Sequence, residues 1–368
     1  DHVAGLLAAA AHDVHALGAS SKYAVNDQTE TLRSMLERLM AGQDLSEGQA
    51  EAAMRELAGG EAEPALAGAL LATLRLKGES AAELRGFARA MRELAIRPEL
   101  PAGGPVADVV GTGGDGSGSI NLSTGAGLLA ASCGVRIAKH GNRAVSSKTG
   151  SADVLQALGV AWPNTAEEVT GSLEAHGFAF MFAPYFHPAM KSIAPIRAAL
   201  GVRTVFNLLG PLANPARPPF MLVGVFSPEA AALMADTLSG LDIDRCFVVH
   251  GEPGWDEPTP AGKFLLIDVR PGEVRGRTVD PADFGIPRCK PSDLAGGERD
   301  YNAATLEGAL RGDGAEALND ALVLQAGLVL ELVGAAGSLP EGLSAAREAL
   351  QSGSAARLLE GMRGDAAP

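Results

Sequence analysis

The sequence predicts an α/β protein in two parts: a small all-helical N-terminal domain and a large α/β domain with a mainly parallel central sheet. Two observations predict it. Residues 31–94 carry apolar side chains at helical spacing and contain no strand-like run. Beyond residue 105, short β-branched runs alternate with helical segments, as in a parallel sheet covered by helices. A chain of 368 residues that is 46% hydrophobic is large enough for both parts.

The helical domain is predicted over residues 29–98. Leu32, Met35 and Leu39 fall on one face of a helix, and the segments 46–49 and 80–83 match the capping box that begins a helix. Four short helices bury little by themselves, so we expect an outer apolar stripe to pack on a second copy of the chain. Residues 1–28 are predicted to be an N-terminal extension.

The α/β domain follows a Pro/Gly-rich linker at 98–105. Its predicted strands are the runs VADVVG, GVRIAKHG, FAFMFA, FMLVGVF and CFVVHG. Ligands of such folds bind at the carboxyl ends of the strands, so the informative motifs are those that follow these runs. The apolar segment 321–333 is short and is interrupted by Gln325 and Glu331, which predicts a buried helix and no membrane span.

Charge and cysteine content narrow the function classes. The net charge of −14 disfavours nucleic acid as a partner. Three widely spaced cysteines without metal-site spacing, and an N-terminus without a basic region before an apolar core, favour a reducing, cytoplasmic location. Segments 116–152 and 175–228 contain no Asp or Glu but four Lys or Arg each, so we expect both to face one anionic ligand.

A glycine-rich loop, GTGGDGSG at 111–118, follows the first predicted strand. It contains G-x-G-x-x-G, but a dinucleotide site also needs an acidic residue about 20 positions later, and none occurs between Asp115 and Asp153. A P-loop would need Lys-Ser/Thr after the last glycine, which is absent. A purely structural turn stays open as an alternative.

The residues after this loop favour an anion site. Asn121, Ser123 and Thr124 begin a predicted helix of small residues, and a helix N-terminus binds phosphate well. Asp115 is unusual in an anion-binding loop. It would steady the loop, contact a hydroxyl group or help to hold a metal ion.

Two further strand ends carry matching chemistry. The second predicted strand ends in KHGNR, residues 139–143, which offers Lys139 and Arg143 as cationic donors. The strand CFVVHG runs into a loop with Asp256 and Glu257, an adjacent pair suited to Mg²⁺ shared with substrate phosphates. Together these segments predict a site for a metal-chelated pyrophosphate or sugar phosphate.

Several motifs in this order resemble the anthranilate phosphoribosyltransferases: GTGGD (111–115), N-x-S-T (121–124), KHGNR (139–143), GSAD (150–153), VRTVFNLLGPLANP (202–215) and the Asp256–Glu257 pair. The resemblance covers residues 31–353. It implies the nucleoside phosphorylase-like (class III) phosphoribosyltransferase fold. It also implies transfer of a phosphoribosyl group from 5-phosphoribosyl 1-pyrophosphate (PRPP) to anthranilate, with two Mg²⁺ ions. A homodimer through the helical domain is expected, with 189–213 returning to that domain, 105–188 and 214–353 forming the α/β domain, and 354–368 a C-terminal tail.

The resemblance also implies roles for individual residues. PRPP would be bound by Gly111, Thr112, Gly113, Gly114, Asp115, Ser119, Asn121, Ser123, Thr124, Lys139 and Ser147. One Mg²⁺ would be held by Ser123 with Glu257, and the second by Asp256 with Glu257. Anthranilate would meet Gly111, His140, Asn142, Tyr185, His187, Arg197 and Pro211. The residues expected to act in catalysis are Asp115, Lys139, Asp256 and Glu257.

Two alternatives remain at this point. A pyrimidine nucleoside phosphorylase would use phosphate as a reactant and would need no metal pair, so Asp256, Glu257 and KHGNR count against it. A non-catalytic relative that binds nucleic acid would need a strongly basic surface, which a net charge of −14 disfavours.

Overall fold

The computed structural model describes residues 31–144 and 148–364, so the predicted extension at 1–28 lies outside the described residues. The first part of the described chain consists of helices α1 (Leu32–Met40), α2 (Glu47–Gly59), α3 (Pro64–Lys77) and α4 (Ala81–Glu93). Both predicted capping boxes are present. Ser46 caps α2 and Ser80 caps α4, and the side chains of Gln49 and Glu83 accept hydrogen bonds from the backbone amides of these two serines. The caps satisfy free amides at the helix N-termini, which is why these helices begin where the sequence predicts.

Seven strands of the described chain form one sheet, in the order β3-β2-β1-β4-β5-β6-β7. Strands β1 to β5 are parallel, and β6 and β7 continue the sheet antiparallel. The prediction of a mainly parallel sheet is therefore confirmed. The strand order reverses between β1 and β4, which is where ligands bind in such sheets. The strands are β1 (Val106–Gly111), β2 (Arg136–Gly141), β3 (Phe178–Phe182), β4 (Phe220–Gly224), β5 (Arg245–Gly251), β6 (Phe264–Arg270) and β7 (Glu273–Val279).

Eleven further α-helices in the described chain cover the two faces of the sheet. They are α5 (Leu122–Ser132), α6 (Ser151–Ala157), α7 (Ala166–His176), α8 (Ala183–Phe186), α9 (Met190–Leu200), α10 (Phe206–Leu212), α11 (Pro228–Ser239), α12 (Arg299–Leu310), α13 (Glu316–Leu332), α14 (Leu339–Gln351) and α15 (Ser354–Gly364). The apolar segment predicted as a buried helix forms most of α13. No helix in the described ranges is both long and apolar enough to cross a membrane.

The two faces of the sheet belong to different hydrophobic cores, and on one face the residues of β1 to β3 form a smaller cluster apart from that of β4 to β6. One core joins α5, α13 and α14 to one face. The other joins helices α1 to α4 to the opposite face, and it includes Ile193 of α9 with Phe206 and Leu209 of α10. The helical domain therefore shares its hydrophobic core with the sheet. Its apolar faces pack against residues 189–213 and against β4 and β5, two elements of the domain whose strand ends carry the site.

Two elements differ from the sequence-based expectation. Strands β6 and β7 were not predicted. Strand β7 is a largely exposed edge strand with charged residues and lacks an apolar run, whereas β6 was missed although it contains the apolar run FLLI. The predicted C-terminal tail, 354–368, is wrong for residues 354–364. These form α15, because Ala355, Leu359 and Met362 recur at helical spacing and are buried in the larger core.

Candidate active site

Three adjacent strands end in glycines beneath the acidic pair Asp256–Glu257. A Cβ atom on Gly111 would lie 2.4 Å from Asp256 Oδ2, one on Gly224 1.6 Å from Asp256 O, and one on Gly251 2.2 Å from Glu257 O. No side chain fits at such distances, so β1, β4 and β5 need glycine here. The two carboxylates consequently lie across the point where the strand order reverses.

The glycine loop is bonded directly to this acidic pair. Gly113 N donates to Asp256 Oδ2 at 2.6 Å, and Asp256 N donates to Asp115 Oδ2 at 3.2 Å. The other oxygen of Asp115 accepts from Ser117 N and Oγ at 3.1 and 3.0 Å. Of the three roles considered for Asp115, this geometry is that of a residue that steadies the loop.

Glu257 and Lys139 meet at the N-terminus of α5. Ser123 N donates to Glu257 Oε1 at 3.3 Å, so a carboxylate lies where the sequence predicts a phosphate. Lys139 Nζ donates to Ser123 Oγ at 3.2 Å and to Val109 O, and the side chain is only 1% exposed. Burial lowers the Lys139 pKa, and the nearby carboxylates oppose that shift.

The acidic pair fits a divalent cation. Burial raises the pKa of both Asp256 and Glu257, and repulsion between neighbouring carboxylates raises it further. A divalent cation would remove that repulsion, and carboxylate oxygens are ligands that Mg²⁺ accepts. Within residues 31–144 and 148–364, however, no three acidic, histidine or cysteine side chains form a ready metal cluster. An ion here would need further ligands, such as substrate phosphates.

Two buried threonine hydroxyls face the same region. Thr112 Oγ1 and Thr124 Oγ1 have no hydrogen-bond partner among the described residues. Buried hydroxyl groups normally have one, so these two are candidates for substrate contacts. Ser119 Oγ instead lies 3.2 Å from Ser117 Oγ, and the predicted Ser147 lies outside the described residues.

Asn121 makes structural contacts in this structure. Its Nδ2 donates to Thr149 O and its Oδ1 accepts from Asn302 Nδ2, both at 3.0 Å. Asn302 Oδ1 accepts from Gly297 N at 2.7 Å, and Thr149 Oγ1 donates to Gly297 O at 2.9 Å. This network connects the start of α5 to α12 and to the segment after β2. One Nδ2 hydrogen and one Oδ1 lone pair of Asn121 take part in these bonds, so the amide keeps capacity for a substrate contact.

The residues predicted for anthranilate divide into a buried group and an exposed group. The His140 and His187 rings lie 5.1 Å apart, and His140 Nδ1 lies 3.3 Å from Gly210 O, beside Pro211. Neither Nε2 has a hydrogen-bond partner in the described chain. Burial lowers the pKa of His140 to about 3 and that of His187 to about 4, so both rings are neutral at pH 7.

Asn142, Tyr185 and Arg197 form the exposed group. Asn142 is exposed, and Tyr185 is 45% exposed. The Arg197 guanidinium lies 4.9 Å from the Phe206 ring centroid and forms no ion pair with a described residue. A half-buried, unpaired guanidinium is available to a carboxylate.

Sequence reasoning gave no role to three residues that help to build the site. Arg203 donates to Gly114 O, which connects the α9–α10 segment to the glycine loop. Asn214 binds Asp108 beneath that loop. Both lie within VRTVFNLLGPLANP, so the motif marked the segment without indicating their contacts. Asn302 carried no local signal, because its partner Asn121 lies 181 positions away.

Comparisons with known proteins match this architecture. Residues 33–95 match the helical bundle domain of a glycosyl transferase family, and residues 103–356 match its a/b domain. Anthranilate phosphoribosyltransferase of Rubrobacter xylanophilus is 48% identical over 329 residues, which are 89% of this chain and 96% of that protein.

Solved structures agree. The anthranilate phosphoribosyltransferase of Thermus thermophilus superposes with a TM-score of 0.84 at 45% identity, covering 90% of this chain and 98% of that one. The Saccharomyces cerevisiae enzyme in complex with PRPP and Mg gives 0.83 at 27% identity, covering 92% and 98%. The same yeast enzyme in complex with 4-fluoroanthranilate gives 0.81 at 26% identity, covering 91% and 97%. This chain therefore belongs to the anthranilate phosphoribosyltransferase family.

Proposed function

We propose that this protein transfers the 5-phosphoribosyl group of PRPP to the amine of anthranilate and releases pyrophosphate, a step of tryptophan biosynthesis. One observation carries the proposal. The Asp256–Glu257 pair lies across the ends of β1, β4 and β5, and it is bonded both to the glycine loop and to the N-terminus of α5. A chelated pyrophosphate needs this combination of acids, backbone amides and a helix N-terminus.

On the phosphoribosyl side, the loop 111–115 would hold the pyrophosphate. Thr112 and Thr124 supply hydroxyls whose hydrogen bonds are free for phosphate oxygens. Lys139 supplies a buried positive charge beside Ser123. When bound, two Mg²⁺ ions shared by Ser123, Asp256 and Glu257 would stabilise the charge of the departing pyrophosphate.

On the acceptor side, Arg197 and Asn142 would receive anthranilate. The Arg197 fork suits its carboxylate, and the neutral rings of His140 and His187 offer an uncharged surface to its aromatic ring. The anthranilate amine is uncharged at pH 7, so it attacks once it is oriented. The chain then acts chiefly by positioning, by electrostatic stabilisation and by keeping water away from the ribosyl group.

We also propose a cytoplasmic homodimer that does not bind nucleic acid. Leu76 on α3 is 88% exposed and Met40 at the end of α1 is 71% exposed, so the helical domain offers apolar surface for a second copy. Cys133, Cys246 and Cys289 are unpaired, which suits a reducing compartment. Light scattering of wild type and Leu76→Glu tests the dimer: the variant should run as a monomer, and an unchanged dimer would place the contact elsewhere.

Anthranilate fluorescence tests the activity. The purified protein is mixed with anthranilate, PRPP and Mg²⁺, and the reaction is repeated with EDTA. The signal should decay only when all components are present. A flat signal from a folded protein would overturn the proposal, and phosphorolysis of a pyrimidine nucleoside would then be the next reaction to assay.

A further inference from the structure

The hydrogen-bond ladder between β1 and β2 ends early. Strand β1 pairs with β4 as far as Gly111, and β2 pairs with β3 as far as Gly141. The pairs between β1 and β2 stop at Ala107 and Ile137. Backbone pairing of the two central strands therefore stops before their carboxyl ends, directly below the glycine loop.

Side chains take the hydrogen bonds that the next rung would have made. In a parallel ladder, that rung would join the backbone of residue 109 to the backbones of residues 138 and 140. Instead, Ala138 O accepts from Asn214 Nδ2 at 2.9 Å, and His140 N donates to Asp108 Oδ1 at 3.4 Å. Asn214 Nδ2 also donates to Asp108 Oδ2 at 2.8 Å. The Asp108–Asn214 pair thus fills the gap between the strands.

The pair is buried and its oxygens are occupied. Asp108 and Asn214 are both 0% exposed, and Asn214 Oδ1 accepts from Ala216 N at 2.9 Å. A buried polar pair with its hydrogen bonds made fixes one geometry, since any shift leaves a costly unpaired group. The pair therefore holds the spacing of β1 and β2.

Lys139 depends on this spacing. Its Nζ donates to Val109 O, which the His140 amide would otherwise claim, and from there it reaches Ser123 Oγ. If the ladder continued to this rung, Lys139 Nζ would share Val109 O with the His140 amide. With the ladder open, Val109 O is left to Nζ.

We propose that Asp108 and Asn214 form a wedge that keeps β1 and β2 apart and so positions Lys139 for phosphoribosyl transfer. Both are positioning residues, because they act through Lys139 and through the end of β2. The inference rests on the proposed function and assigns to the reaction two residues that lie beneath the site.

The variants Asp108→Asn and Asn214→Ser test the wedge. Asp108→Asn keeps the side-chain shape and an oxygen that accepts from His140 N. It replaces the oxygen that accepts from Asn214 Nδ2 with an NH₂ group, so two donors face each other and the pair is broken. The matched control is Val106→Ala, which removes buried volume from the same face of β1 two residues earlier and leaves both wedge side chains unchanged.

Both wedge variants should lower kcat by about 10- to 100-fold, because a displacement near 1 Å in a catalytic site has effects of that size. Their melting temperatures are compared with that of Val106→Ala, which should lose stability but keep kcat within about twofold. Calorimetry of Mg²⁺–PRPP binding should show at least a severalfold weakening in the wedge variants and none in the control.

Turnover by the wild-type protein tests the proposed function. The kcat of each variant relative to wild type tests the wedge. The affinity of each variant for Mg²⁺–PRPP relative to wild type tests the wedge without any measurement of turnover. Losses in kcat and PRPP affinity that match those of Val106→Ala at equal destabilisation would overturn the wedge. If Asp108→Asn does not fold, the kcat and the PRPP affinity of Asn214→Ser, each compared with Val106→Ala, test the wedge.

Discussion

The phosphoribosyl side and the acceptor side of the site are built differently. On the first, Gly113, Ser123 and Asp115 are already bonded to the Asp256–Glu257 segment, and Lys139 is 1% exposed. On the second, Asn142 is exposed, Tyr185 is 45% exposed, and Arg197 forms no ion pair with the described residues.

This contrast follows from the elements that carry each side. The phosphoribosyl side stands on the ends of neighbouring strands, whose separation is fixed by the sheet. Most of the acceptor side stands on α8 to α10, which connect the sheet to the helical domain. We therefore expect the proposed PRPP site to be formed in the free chain and the proposed anthranilate site to be completed when the substrate binds.

Removing the acids should have the largest effect. The double variant Asp256→Asn/Glu257→Gln keeps the shape but loses both charges, so turnover should fall by about 10³-fold or more and should no longer depend on Mg²⁺. Steady-state rates over a Mg²⁺ titration measure this. Full activity of the double variant would remove the metal assignment.

Adding a single methyl group at Gly224 should displace the same two acids. Gly224→Ala would place Cβ 1.6 Å from Asp256 O, so the acidic segment must move and turnover should fall by about 100-fold. Gly171→Ala on α7 is the control, since its Cβ meets nothing within 4 Å. Equal activity of the two variants would show that the segment is not held as described.

On the acceptor side, Arg197→Ala should raise the KM for anthranilate by about 10- to 100-fold, the size expected for a lost charge-assisted hydrogen bond. The KM for PRPP should change little, because Arg197 lies on α9 and not on a strand end. Steady-state kinetics with each substrate varied in turn measure both constants. An unchanged anthranilate KM would remove Arg197 from the acceptor site.

The buried histidines should make stability depend on pH. The pKa of folded His187, about 4, lies below its unfolded value of about 6.5, so the unfolded chain binds more protons between these values. The free energy of unfolding therefore falls as the pH decreases through this range. The acids of the phosphoribosyl side act oppositely, because their raised pKa values favour the folded state at lower pH.

Urea unfolding of wild type and His187→Gln isolates this contribution. Between pH 7.5 and 5, the variant should lose about 2 kcal/mol less unfolding free energy than wild type. Parallel pH profiles for the two proteins would show that His187 does not titrate on unfolding as described.

Sequence patterns predicted the local parts of this structure well. The capping boxes at Ser46 and Ser80, the five parallel strands and the helix that begins after Asn121 each depend on residues close in the chain. The Asp256–Glu257 pair was recognisable because two adjacent acids after a strand end are a compact signal.

Long-range contacts were not predictable in this way. Asp108 and Asn214 lie 106 positions apart, and no period or motif joins them. The edge strand β7 carries charged residues at alternate positions without an apolar face, and the apolar stripe of α15 is short. Sequence reasoning therefore identified the substrate-facing motifs, whereas the contacts that hold them required the fold.

Hydrogen–deuterium exchange of the free protein tests the contrast between the two sides most directly. Amides in segments 106–113 and 249–256 should be protected without any substrate, because acids and neighbouring strands already bind them. Amides in segment 183–205 should exchange faster and should gain protection when anthranilate is added to the PRPP–Mg²⁺ complex. Equal protection of the segments in the free protein, or the reverse order, would contradict a preformed PRPP site beside an acceptor site completed by its substrate.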